Sequence, residues 1–254
     1  MARAAVPGRL AGRLSWQSAR LVEHRDETPT ARTLVLEVLD WPGHLAGQHV
    51  DIRLTADDGY QAVRSYSLAA ASDHHRIEVT VQRVPDGEVS PYLVDVFSLG
   101  DTVEVRGPLG GWFVWRPTER APVLLVAGGA GIVPLMAMVR ARSAAGSRVP
   151  FRLTYSVRTP QEGYYEEELH RLQHGETGVD VTYIFTRSTP KGFARPPGRI
   201  GIRDLETPNR SPDGQPICFV CGPTGFVELT AGLLVTKGHD PGRIKTERFG
   251  PSGG

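Results

Sequence analysis

Apolar positions follow two different rhythms along this chain, and the change of rhythm is its first structural signal. From about residue 16 to 115 they come in short, β-branched, partly alternating runs, as at 33–38 (Thr-Leu-Val-Leu-Glu-Val), 49–54 and 76–81. Turn-forming clusters punctuate these runs: Asp40-Trp41-Pro42-Gly43, Asp57-Asp58-Gly59 and Pro85-Asp86-Gly87. Short strands at this spacing predict an antiparallel barrel or sandwich. One short helix is expected at 91–97, with Ser90 as its cap and Pro91 at its first position.

Beyond 116–121 the rhythm changes. Residues 122–127 form a continuous apolar run, as in a strand buried on both faces. Residues 132–145 have helical spacing, 151–157 read as a strand and 166–173 as a helix. Residues 179–185 and 216–220 are strands, and 226–236 a helix. Alternating strands and helices predict a parallel sheet with helices on its faces. The chain therefore divides into a flexible leader (1–15), an antiparallel β-barrel domain (16–117) and an α/β domain (118–254). Residues 191–215, rich in Pro, Gly and Arg, are expected to form a long surface connection.

Composition narrows the picture. The 254 residues are 40% hydrophobic, enough for two cores. Basic residues number 29 and acidic 28, interleaved, which argues against nucleic acid as the main partner. No apolar run approaches the roughly 18–20 residues needed to span a bilayer. Residues 1–13 lack the apolar core of a signal peptide, and the expected location is cytoplasmic. Cys218 and Cys221 are the only cysteines, too few for a plant-type iron–sulfur cluster. Their spacing also suits half a zinc site, but no second pair exists, and no metal site is expected. His74-His75 reads as a polar turn, and Glu166-Glu167-Glu168 as a solvated first turn of a helix.

Two segments suit phosphate. Gly87-Glu88-Val89-Ser90 precedes the short helix, whose unpaired N–H groups favour an anion. A hairpin turn with a capped helix explains the same residues equally well. Gly128-Gly129-Ala130-Gly131 follows the buried strand and opens a helix through Ile132, Val133 and Pro134, the context of a dinucleotide loop.

Taken in order, Arg64-Ser65-Tyr66-Ser67, Gly87-Glu88-Val89-Ser90, Gly107-Pro108-Leu109-Gly110-Gly111-Trp112-Phe113, Gly128 to Pro134 and Cys221-Gly222-Pro223 resemble the ferredoxin–NADP reductase superfamily. The resemblance covers about residues 17–250. It implies a flavin-binding antiparallel barrel followed by a nucleotide-binding α/β domain. It also implies that Tyr66 stacks on the flavin ring, Ser67 reaches its N5 and Arg64 pairs with the pyrophosphate. Ser65 and residues 87–90 complete that site, with FAD favoured over FMN. Phe113 or Trp112 closes one edge.

Cys221 would lie where hydride passes, beside Gly222 and Pro223, with Thr224 a further candidate contact. Glu247 and Phe249 would cover the opposite flavin face. Ser67, Cys221 and Glu247 are thus the candidate catalytic group. Arg158, Thr186 and Arg187 stand where a 2′-phosphate would be met, which leans the choice to NADPH over NADH; solvated arginines remain an alternative.

The expected activity is an FAD-dependent NAD(P)H reductase, passing hydride to FAD and then single electrons to a separate acceptor. That acceptor would be a ferredoxin, a Rieske-type oxygenase or a haem protein, because no iron–sulfur domain is fused here. Reduction of a small molecule (free flavin or a quinone) and a non-catalytic nucleotide-binding subunit are the alternatives.

Overall fold

The computed structural model describes residues 14–73, 75–175, 178–206 and 215–250. Residues 1–13 of the expected leader at 1–15, His74 of the expected turn and residues 207–214 of the expected connection lie outside the described residues.

The first half builds a six-stranded antiparallel sheet from β1 (Gln17–Thr28), β2 (Ala31–Glu37), β3 (His49–Thr55), β4 (Gln61–Ser67), β5 (Arg76–Gln82) and β6 (Thr102–Leu109). Their order is β4-β3-β6-β1-β2-β5. A bridge between Leu68 and Val79 draws the two edges together into a barrel. Alternation does the sorting. On β5, Ile77, Val79 and Val81 face the barrel core, where they meet Leu34, Leu36, Val50, Ile52 and Val105. Glu78 and Thr80, the residues between them, face the second half of the molecule. β1 and β6 are long strands that the apolar pattern does not single out. β1 carries mostly polar side chains, and its pairing with β2 is broken by two register shifts.

The expected helix at 91–97 is instead a five-residue π-helical turn, Tyr92–Val96, and Ser90 does not cap it. Ser90 Oγ accepts a hydrogen bond from the Val84 N–H at 3.0 Å. The Leu93 N–H that a Ser90 cap would receive is already given to the Val89 carbonyl at 3.1 Å, and the hydroxyl closes its own loop instead.

The second half is a parallel sheet of β7 (Val123–Gly128), β8 (Phe151–Val157), β9 (Val179–Phe185), β10 (Ile217–Pro223) and β11 (Ile244–Phe249), ordered β11-β10-β7-β8-β9. Central β7 is buried throughout. Val123, Leu125 and Ala127 pack beneath α1 (Ile132–Ala144), while Leu124 and Val126 pack beneath α3 (Thr224–Thr236). That two-sided burial explains the unbroken apolar run. α2 (Glu166–His174) lies beside β9. Among the described residues no helix is long and apolar enough to cross a membrane.

α1 is buried over most of its surface because it is packed between the parallel sheet and the barrel. Barrel residues Ala31, Ala46 and Ala69 belong to the same core cluster as Met136 and Met138. The segment leaving the barrel joins this interface: Trp115 bridges Ala46, and the Val114 carbonyl accepts from Lys245 Nζ at 3.3 Å. Gly47 sits at the seam with φ +100°, where a Cβ would lie 1.9 Å from the Phe113 carbonyl oxygen and 2.8 Å from Met138 Cε. Both the backbone angle and the space demand glycine. Gly47→Ala is expected to destabilise the protein by roughly 2–4 kcal/mol, read as a lower urea midpoint. A midpoint equal to that of the wild type would contradict this packing.

Candidate functional site

The strand ends of both halves converge on one cleft. On β4, Arg64 and Tyr66 share one face, and Ser65 and Ser67 the other. Tyr66 packs against the barrel core, and burial raises its hydroxyl pKa, with Arg64 opposing. Arg64 Nη2 donates to Glu88 at 2.7 Å, and Glu88 also accepts from the Tyr60 hydroxyl at 2.5 Å. Arg64 and the 87–90 loop are therefore neighbours, as expected. Val89 is fully buried, backbone included, and packs in the barrel core. The Ser65 hydroxyl is turned to Asp51 at 2.7 Å, and Asp51 also accepts from Arg106 at 2.6 Å. Its side chain braces the barrel rather than joining Arg64 and Tyr66.

Ser67 reaches across to the second half. Its Oγ donates to Glu247 Oε1 at 3.2 Å. Glu247 lies in register with Cys221, on the adjacent strand. Ser67 and Glu247, 180 residues apart in sequence, thus meet beside Cys221. Burial pushes the Glu247 carboxyl up to about 7, with the Ser67 hydrogen bond pulling the other way. Burial, and then the Glu247 carboxylate, push the Cys221 thiol well above its ordinary range. A thiol held neutral in this way is not a thiolate nucleophile.

Glycines let the second half close up. A Cβ on Gly131 would fall 2.1 Å from the Cys221 carbonyl oxygen, so this glycine allows the start of α1 to touch β10. A Cβ on Gly128 or Gly222 would meet the Phe226 ring at 2.7 Å. Above them is a cleft of about 220 Å³, lined by Gly128, Gly129, Ala130, Arg158, Thr186, Pro223 and Phe249. Ile132 and Pro134 are buried beneath it as packing residues. Arg187 is exposed beside it, its N–H donating to the Arg158 carbonyl at 2.9 Å.

Sequence reasoning missed the opposite wall, Thr28, Thr30 and Gln82 of the barrel, together with Ser156, Glu162, Tyr164 and Phe226. No phosphate or flavin motif marks Thr28, Thr30 or Gln82. Glu162, three residues into the turn after Arg158, could have been found as an acid beside an expected anion site. It lies 3.9 Å from Arg158.

A sequence profile described as "Oxidoreductase FAD-binding domain" matches residues 18–114, and one described as "Oxidoreductase NAD-binding domain" matches residues 125–232. The chain belongs to the ferredoxin–NADP reductase superfamily. Ferredoxin–NADP reductase B of Sorangium cellulosum is 32% identical to this reductase-family chain over 225 residues, 85% of the chain and 89% of that protein. The ferredoxin–NAD(P)+ reductase component of naphthalene 1,2-dioxygenase/salicylate 5-hydroxylase systems from a Ralstonia species is 31% identical over 208 residues, 82% of the chain and 61% of that protein. Among solved structures, a cytochrome P450 reductase of Amycolatopsis is similar at 27% identity, with a TM-score of 0.80, over 97% of this chain and 73% of that one. The chain spans 61%, 55% and 56% of the length of three curated oxygenase-system reductase relatives that it matches.

The residues present suit the two cofactors of the family. An aromatic ring and an arginine flank β4, a hydroxyl and a carboxyl stand at its end, and the glycine cradle at β7 and β10 leaves no room for side chains where a dinucleotide backbone approaches. Glu247 is the electrostatic test of this arrangement. Its folded-state pKa lies above the unfolded value, so its stabilising contribution is complete below about 4.5 and lost as pH rises through about 7. Glu247→Gln removes that loss and is expected to stabilise the flavin-free protein at pH 8 by on the order of 2–3 kcal/mol. It should gain nothing near pH 4.5. Thermal melts at the two pH values check this, and equal shifts at both would refute the buried, protonated carboxyl.

Proposed function

We propose that this reductase-family chain takes a hydride from NADPH or NADH onto FAD and delivers single electrons to a separate protein. The observation that carries this reading is the meeting of Ser67, Glu247 and Cys221 across the two sheets, between Tyr66 on one side and the glycine cleft on the other. We assign the domains to 16–117 and 118–254. FAD, when bound, supplies the conversion of a two-electron donor into one-electron steps. The chain's own residues bind and orient. Arg64 and the 87–90 loop would hold the pyrophosphate, and Tyr66 and Phe249 would enclose the ring. With flavin bound, Ser67 would turn its one hydroxyl hydrogen from Glu247 to the N5 position, and the protonated Glu247 carboxyl would donate to the Ser67 oxygen and keep it aimed. Cys221 would fill the space beside the reacting carbon without reacting.

The acceptor we infer is a ferredoxin, a Rieske-type oxygenase or a haem protein. The named relatives that are reductase components of oxygenase systems support this. Both cysteines are free thiols, which suits a reducing compartment, and we place the chain in the cytoplasm.

Arg158 and Thr186 in the cleft, with Arg187 beside it, favour a 2′-phosphate and hence NADPH. Glu162 opposes that charge and narrows the preference. Anaerobic mixing of the FAD-loaded protein with each nucleotide should bleach the flavin, NADPH faster than NADH. Glu162→Gln should raise kcat/KM for NADPH by about three- to tenfold, the order expected from removing one exposed like charge. Flavin bleached by neither nucleotide would overturn the activity; faster bleaching by NADH would overturn the nucleotide choice.

A further inference from the structure

Arg140 does work that no cofactor motif explains. It lies on α1, the helix opened by Gly128 to Gly131, yet its guanidinium reaches the barrel. Nη1 donates to the Ala69 carbonyl at 2.7 Å and to Glu78 Oε1 at 2.8 Å. Nε and Nη2 hold both oxygens of Glu168 on α2, at 3.1 to 2.6 Å. The same group lies over the Tyr165 ring, 4.7 Å from its centroid. Only 18% of the side chain is exposed.

Ala69 stands two residues after Ser67. Its N–H donates to the Glu78 carbonyl at 2.7 Å, so both its polar backbone groups are fixed, one by β5 and one by Arg140. The end of the flavin strand is thus tied directly to the helix that carries the nucleotide loop. A second tie runs parallel to it. Tyr165, in the left-handed region at φ 58°, donates its N–H to Glu27 Oε2 at 3.0 Å and pairs its hydroxyl with Thr80. Its neighbour Tyr164 lines the nucleotide cleft.

We propose that Arg140 is a positioning residue for hydride transfer, holding the nicotinamide loop and the flavin strand at a fixed separation. This rests on the reductase reading above. Arg140 touches neither cofactor site. It acts through Ala69 on one side and through α1 on the other. Hydride transfer requires the reacting atoms about 3–3.5 Å apart, and a misplacement of about 1 Å can cost 100-fold. A planar fork with several donors at fixed angles suits this task; a lysine ammonium carries its three donors on one atom and cannot reproduce the two-pronged hold on Glu168.

The test uses the FAD-loaded protein with Arg140→Ala and Arg140→Lys. In anaerobic stopped-flow with saturating NADPH, Arg140→Ala should lower the limiting rate of flavin bleaching by about 10- to 100-fold. The Kd for NADP+ should stay within about twofold, because the cleft residues are untouched. The long-wavelength charge-transfer absorbance of the reduced complex should weaken with the rate. Arg140→Lys should recover part of both. In the flavin-free protein, Arg140→Ala should speed tryptic cleavage after Arg120, in the connection between barrel and sheet, by about tenfold as the interface opens. Should Arg140→Ala not fold, Glu168→Gln loosens the same fork and should move each readout in the same direction by less.

A limiting rate and charge-transfer band equal to the wild type's, in a folded variant that retains flavin, would overturn the positioning role and leave the reductase reading standing. A wild-type flavin that neither nucleotide bleaches would remove the reductase reading and the positioning role together. Tryptic cleavage would then still report whether Arg140 closes the interface.

Discussion

A buried guanidinium cannot be left without partners, and Arg140 binds the two halves of this protein because of that constraint. Desolvation alone would weaken its hold on its proton, but Glu168 and then Glu78 more than offset it, and its pKa is raised. Removing one partner of such a pair strands the other in a poor solvent, which typically costs about 3–5 kcal/mol. Each partner is fixed in turn. Glu78 also receives Arg25 at 3.0 Å, and Glu168 belongs to the turn of α2 that Tyr165 opens. Apolar packing brings the barrel and the parallel sheet together through Ala31, Ala46 and Ala69 against α1. The ionic group adds directional contacts to that apolar seam.

The docking of the two halves makes the site possible. Ser67 ends a barrel strand, while Glu247 and Cys221 lie on neighbouring strands of the other sheet. Their meeting is a property of the interface and not of either domain. It also creates the electrostatics. The Glu247 carboxyl is desolvated by the docking of two domains, and its raised pKa leaves it half protonated near neutral pH. A carboxyl in that state, when protonated, can donate to the Ser67 oxygen and keep the hydroxyl oriented without a full negative charge in the cleft. The Cys221 thiol remains protonated by the same burial.

Much of this was legible in the sequence. Residues 122–127 announce a doubly buried strand because β7 is covered on both faces, and β9 occupies the expected residues 179–185. The glycine loop stands out by its strand–loop–helix context, whereas Arg64, Tyr66 and Ser67 stand out only through the resemblance of their motif to the reductase family. The interface residues do not. Glu78 and Thr80 are polar positions on an alternating strand, which says only that they avoid the barrel core. Glu166-Glu167-Glu168 reads as one solvated run, but Glu168 is recruited by Arg140, 28 residues earlier, while its two neighbours stay exposed. Glu162 is likewise an ordinary turn residue until the fold places it beside Arg158. Ser90 shows the opposite limit: its type fits a helix cap, yet a nearer backbone donor takes its hydroxyl. Partners distant in sequence decide these cases, and local pattern carries no information about them.

The central claim is that the two sheets present Tyr66 and Ser67 to a flavin at the mouth of the glycine cleft. A crystal structure of the protein loaded with FAD tests it most directly. The account predicts the flavin ring against Tyr66, its N5 within about 3.5 Å of Ser67 Oγ, and the pyrophosphate on Arg64 in place of Glu88. A flavin held away from β4, or one with Ser67 still bonded only to Glu247 and N5 turned elsewhere, would contradict it.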